Sequence, residues 1–241
     1  MLRGPQRGLF DFDFRVPSGC ADELASGAAD IGIVPSFELT RLDLDILPGA
    51  GIACRGAVRS ILLVARKPLA EVATLAADTS SRTSVQLARV ILARRYGCVP
   101  TILPHDPILP TMLDRADAAL IIGDPALHID PCALPYLVYD LGAEWTEMTG
   151  LPMVFAVWAA RKGIVTPELI QVFRDSCRFG REHLDDIVAA ESAPRGFPPS
   201  LVAGYLSRNI VHELGEVEYE GMREFLALAQ SPAIASTRPT T

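Results

Sequence analysis

Two continuous apolar runs, residues 59–66 and 152–160, constrain this chain more than any other feature. Each has strand length, and together they bracket residues 67–151, where strand-length apolar runs alternate with helix-period patterns. Such alternation predicts an α/β fold with mostly parallel sheets. The bracketing predicts two lobes joined by two crossing strands, with a ligand cleft between them. Lobe I is read as residues 1–66 plus 152–230, lobe II as 67–151, and 231–241 as a disordered tail rich in Pro, Ser and Thr.

The remaining elements follow from periodicity and stop signals. Residues 10–16 alternate as Phe-Asp-Phe-Asp-Phe-Arg-Val and predict a strand. A short helix over 18–28 follows, with Ser18 as cap and Gly27 as stop, then a buried strand over 30–34. Residues 44–54 have strand character at both ends around a Pro48-Gly49 turn. Strands are expected at 72–77, 99–103, 118–122 and 138–141, and helices at 81–96 and 108–115. Thr166-Pro167-Glu168 is a strong helix start, and helices are expected over 167–191, 200–214 and 216–230.

Composition narrows the function classes. Hydrophobic residues make up 49% of the 241, enough for a buried core. The net charge of −7, with no Lys/Arg block, argues against a nucleic-acid partner. The five cysteines have no metal-ligand or redox spacing and read as buried thiols of a reducing compartment. The N-terminus has no apolar signal core, and the longest apolar runs fall short of a membrane span. The expectation is a cytoplasmic protein without a membrane partner.

Several catalytic signatures are missing. Gly49-Ala-Gly51 leads to Cys54 where a dinucleotide fingerprint needs its third glycine. There is no Walker loop, no H-E-x-x-H and no G-x-S-x-G elbow, and the four histidines are isolated in sequence. No metal and no cofactor is expected. What stands out is Asp78-Thr-Ser-Ser-Arg-Thr-Ser84, which follows an apolar run and opens an amphipathic helix. Its hydroxyls and Arg82 lie where a helix leaves backbone N–H groups unpaired, which suits a carboxylate. An ordinary N-cap by Ser80 or Ser81 accounts for the same residues equally well. Two further small-polar turns follow apolar runs, Asp30-Ile-Gly-Ile-Val-Pro-Ser36 and Ala119-Leu-Ile-Ile-Gly-Asp124.

These turns belong to an ordered set with Gly56-Ala-Val-Arg-Ser60, Tyr139-Asp-Leu-Gly142 with Trp145, and Thr149-Gly-Leu-Pro152 running into Val154-Phe-Ala-Val-Trp-Ala-Ala160. The set resembles the chorismate dehydratase family of the futalosine route to menaquinone. The resemblance implies a two-lobed, type II periplasmic-binding-protein-like fold used as a hydro-lyase on the small molecule chorismate. The family opens with an earlier strand and a Tyr-Leu-Asn-Thr-like turn that places an Asn in the cleft. Residues 1–8 do not match it, residues 10–16 look like the family's second strand, and a start upstream of Met1 is the expectation. A sheet lacking that strand exposes apolar neighbours and backbone groups.

The implied reaction removes the C4 hydroxyl and C3 hydrogen of chorismate, giving 3-[(1-carboxyvinyl)oxy]benzoate, with aromatisation as driving force. The dianionic substrate needs two anion sites. One carboxylate is assigned to Ser81, Arg82, Thr83 and Ser84, faced by Ser60 and Ser36, with backbone donors near Gly123. Asp124 is the candidate proton acceptor, and a substrate carboxylate acting as intramolecular base is the alternative. Two rival functions share the fold: a solute-binding protein for a small carboxylate, and the sibling 1,4-dihydroxy-6-naphthoate synthase.

Overall fold

The computed structural model describes residues 1–231; the tail expected over 231–241 lies, beyond Ser231, outside the described residues. The order of elements is α1 (Pro17–Ser26), β1 (Ile31–Pro35), β2 (Leu44–Cys54), β3 (Ile61–Ala65), β4 (Thr74–Ala77), α2 (Arg82–Arg95), β5 (Thr101–Pro104), α3 (Leu109–Arg115), β6 (Ala118–Ile122), α4 (Asp124–Leu127), β7 (Leu137–Asp140), α5 (Leu141–Thr149) and β8 (Met153–Arg161). Helices α6 (Pro167–Glu182), α7 (Leu184–Glu191), α8 (Pro199–Gly204) and α9 (Glu216–Ala229) complete it.

The strands form two sheets, one ordered β1-β8-β2 and one ordered β5-β4-β6-β3-β7. The expectation of mostly parallel sheets is corrected here. In the first sheet β8 runs antiparallel to both neighbours, and in the second only the β4–β5 and β4–β6 pairs are parallel. Strand β8 enters the first sheet on its way back from the second, so it runs against β1 and β2. Alternation of strand and helix patterns does not encode that direction.

The crossing is also relocated. Strand β3 was expected to close lobe I at residue 66, yet it lies inside the second sheet, between β6 and β7. The outward passage is therefore the non-strand segment 55–60. Residues 56–59 are gripped by α5. Gly56 N–H donates to Thr146 Oγ1 at 3.0 Å, and Val58 and Arg59 N–H donate to the Asp140 carboxylate at 2.9 and 2.6 Å. Asp140 also caps α5 through the N–H groups of Gly142 and Ala143. A Cβ on Gly142 would lie 2.6 Å from Gly56 O and from Cys54 Sγ, so only glycine allows this approach. Desolvation by burial, with the Asp140 charge nearby, pushes the Cys54 thiol up to about 12.

Residues 10–16 form no strand. The N–H row of an isolated extended segment needs a partner, and none pairs with this one among the described residues. Phe14 is left 71% exposed, while Phe10 packs on Phe173. The segment lines a groove of about 1180 Å³ beside β1. Helix α1 starts one residue before Ser18 and has no side-chain cap; Gly27 stops it in the left-handed region as expected. The single helix expected over 167–191 breaks at His183, whose ring stacks on Phe179 and whose Nδ1 lies 2.9 Å from that residue's carbonyl. The helix expected over 200–214 ends in a π-turn at Tyr205–Asn209. Beyond it, Val211 exchanges backbone hydrogen bonds with Ala53, so extended chain covers the outer edge of β2.

One core cluster runs through both sheets. Leu63, Leu75, Leu120 and Ile91 belong to it with Met153 and Phe155 of β8 and Phe225 of α9. Phe225 meets Trp145 edge-on at 6.0 Å and Phe37 at 6.5 Å, so α9 ties α5 to the turn after β1.

Candidate active site

The second sheet gathers the small-polar turns along one edge. The end of β4, the end of β6, the start of β3 and the end of β7 are consecutive there, because β3 runs antiparallel to β6 and β7. Asp78, Gly123, Ser60 and Asp140 are thus neighbours on the edge. At about 4.8 Å per strand, the β4 and β3 ends are roughly 10 Å apart. That matches the span of a small ring with two carboxylates. The first sheet presents Ser36, after β1, and Cys54, ending β2, to this edge.

The residues fall into two groups. The first lies where α2 meets the turn after β1. Ser81 caps α2, its Oγ accepting from Ser84 N–H at 3.4 Å and Ser84 Oγ–H at 3.1 Å. The N–H groups of Arg82 and Thr83 find no acceptor among the described residues, leaving first-turn donors at a helix N-terminus. Thr83 Oγ1 accepts from Phe37 N–H at 3.1 Å, and Ser36 Oγ–H donates to Val154 O at 2.7 Å. Ser36 and Thr83 therefore lock the two sheets together and are fully buried. Arg82 turns its guanidinium to Glu38 at 2.9 Å and to Asp22 at 3.6 Å, which raises its pKa. Glu38 is itself fully buried and also holds Arg41. This carboxylate, which the sequence reading passed over, positions Arg82.

The second group gathers around Ser60, the last residue of the 55–60 passage. Ser60 O accepts from Gly123 N–H at 2.8 Å. Gly123 has φ +68° and ψ −145°, a conformation open to glycine and strained for other residues. Asp124 begins α4, is exposed, and pairs with Arg195 at 3.3 Å. Ser60 Oγ accepts from Tyr205 Oη–H at 3.0 Å, and its own hydroxyl hydrogen has no acceptor among the described residues. Tyr205 sits on the π-turn, at the wall of a cavity of about 650 Å³ that Arg59, Arg208 and His128 also line. Arg59 has φ +68° and spends its guanidinium on the carbonyls of Ala126, Leu127 and Ile129, fixing α4 beside Ser60. No sequence signal pointed to Tyr205, which is 145 positions from Ser60. Asp140 lay inside a matched motif, but its role as acceptor of four backbone N–H groups was not legible there.

Among the described residues no group of three or more His, Cys, Asp or Glu side chains is placed to hold a metal ion, and no helix is long and apolar enough to cross a membrane.

Comparison with known proteins places this arrangement. A family model described as menaquinone biosynthesis matches residues 6–231. The chorismate dehydratase of Thermus thermophilus is 32% identical over 228 residues, covering 87% of this chain and 83% of that protein. Among solved structures, a protein of Archaeoglobus fulgidus is similar with a TM-score of 0.68 at 17% identity, over 90% of this chain and 84% of that one. The alkanesulfonate-binding protein SsuA of Xanthomonas axonopodis pv. citri, bound to MOPS, gives 0.59 at 14% identity over 94% and 86%. A Candida albicans gene product with the generic periplasmic binding protein fold gives 0.55 at 11% identity over 92% and 82%. The fold is thus that of the periplasmic binding proteins, and the chain belongs to the menaquinone biosynthesis family.

Proposed function

We propose that this chain is a hydro-lyase that dehydrates chorismate to 3-[(1-carboxyvinyl)oxy]benzoate, in the futalosine route to menaquinone. The observation that carries the reading is 32% identity to a chorismate dehydratase over most of both chains. The geometry supports it. The two sheets act as two lobes, with strands β1, β2 and β8 in one and β3 to β7 in the other, and the substrate lies between their facing edges. One carboxylate sits on the unpaired first-turn N–H groups of α2 and on the Ser81 hydroxyl, which Ser84 orients by donating its own hydrogen to Ser81 Oγ. The ring extends about 10 Å along the strand ends towards Ser60 and Gly123.

Ser36 and Thr83 hold the lobes in register, and Arg82 acts from its Glu38 pair. Asp124 faces Arg195, so we assign the proton at C3 to a substrate carboxylate and give Asp124 the task of orienting the Gly123 turn. Positioning then supplies much of the acceleration. Free thiols at all five cysteines suit a reducing cytoplasm.

The test is turnover of chorismate by the purified chain without added cofactor, read by mass spectrometry as loss of one water. Ser81→Ala should lower kcat/KM roughly ten- to a hundredfold, the worth of a hydrogen bond to a charged group, and Ser84→Ala by less, because it removes only the hydrogen bond that orients Ser81. Wild-type chain that binds chorismate without forming product would make it a solute-binding protein.

A further inference from the structure

We infer that Tyr205 and Ser60 form a proton-delivery pair for the leaving hydroxyl, with Ser60 touching the substrate and Tyr205 acting through it as a positioning residue. This rests on the dehydratase reading and deepens it.

Loss of water from C4 requires a proton donor, because hydroxide is a poor leaving group. Ser60 is 5% exposed and stands at the start of β3, on the strand edge that holds the substrate. Its Oγ already accepts a hydrogen bond from Tyr205 Oη–H at 3.0 Å. A serine hydroxyl has one hydrogen to give. With Tyr205 filling an acceptor site, that hydrogen is free to point away from Tyr205, and no protein acceptor takes it among the described residues. The polarity of the pair runs from Tyr205 through Ser60 outward.

Three features hold Tyr205 in place. The π-turn Tyr205–Asn209 ends the helix that begins at Pro199, short of the 214 expected from the sequence. Asn209 Nδ2 ties the turn to Ala57 O at 2.9 Å, on the same passage that leads to Ser60. Ile210 N–H closes back on Tyr205 O at 3.1 Å. Burial raises the phenol pKa, keeping Tyr205 protonated at neutral pH.

The step balances without an oxidant or reductant. The C3–H bond breaks, its electron pair forms the C3–C4 double bond, and its proton goes to the substrate carboxylate. The C4–O bond breaks with its pair on oxygen, which takes the Ser60 hydrogen and leaves as water. Ser60 recovers a proton from Tyr205, and Tyr205 from solvent through the cavity it lines. The proton held by the product carboxylate returns to solvent.

The experiment is a double-mutant cycle on chorismate turnover. Tyr205→Phe should lower kcat at least tenfold with KM for chorismate within twofold of wild type. Ser60→Ala should lower kcat by a similar or larger factor. The combined Ser60→Ala, Tyr205→Phe variant should be no slower than Ser60→Ala alone, because the pair acts as one unit. Losses that multiply, or Tyr205→Phe with kcat within twofold of wild type, would overturn the pair and leave the dehydratase reading standing. A wild-type chain that forms no product would overturn both.

Discussion

The two sheets solve the same problem differently. In the second sheet, β3 and β6 are buried at every position, and both lie between paired neighbours. In the first, only β8 is flanked on both sides. Extended chain at Val211 covers the outer edge of β2, but no strand pairs with the outer edge of β1 among the described residues. Beside that edge runs the alternating segment 10–16, with Phe14 and Val16 mostly exposed. The strand ends that carry Ser60, Gly123 and the α2 N-terminus belong to β3, β6 and β4, the inner strands of the second sheet, each paired on both sides. A site needing placement within fractions of an ångström sits on the stiffer element, while the open edge lies away from it. Pattern alone does not make a strand; a partner for its N–H row does.

The largest effect should come from the contact that joins the regions. Phe225 is fully buried between Trp145 and Phe37. Phe225→Ala should cost about 3–5 kcal/mol in chemical denaturation. One cooperative transition shifted to lower denaturant would confirm a single core across both sheets. A variant whose second sheet melts unchanged would break the comparison by making the sheets independent units.

Hydrogen exchange sharpens the contrast without mutation. Amides of β6 should exchange only through global opening, and those of β1 through local opening, with protection lower by on the order of a hundredfold. Equal protection would show that the open edge costs β1 nothing.

The smallest effect tests the second sheet's own fastening. The Lys67 ammonium and the N–H groups of Ala73 and Thr74 hold the Asp117 carboxyl at about 2, below the usual carboxylate range. A depressed carboxyl pKa adds stability above its unfolded value near 3.9. That stability is lost as pH falls from about 4 towards about 2. Asp117→Asn should flatten the stability profile in that window and leave it unchanged in shape above pH 5. A profile that keeps its wild-type acid limb would remove Asp117 from the account.

Much of this was legible in residue order. The strand over 118–122 appears as expected, and Gly27 and Thr166 stop and start their helices where their chemistry requires. The α/β class, the family and the polar turns at strand ends follow from local pattern and motif order. What local pattern did not contain is direction and partnership. The antiparallel insertion of β8, the placement of β3 in the second sheet and the unpaired 10–16 segment all depend on contacts between residues far apart in the chain. The same holds at the site. Residue type marked Ser60, Ser81 and Ser84 as hydroxyls near an anion, because a helix start and a strand end are local features. Only the tertiary structure brought Tyr205 onto Ser60, turned Arg82 to Glu38 and gave Asp124 to Arg195. A hydrogen bond depends on distance in space, and across 145 positions the sequence sets that distance only through the whole fold.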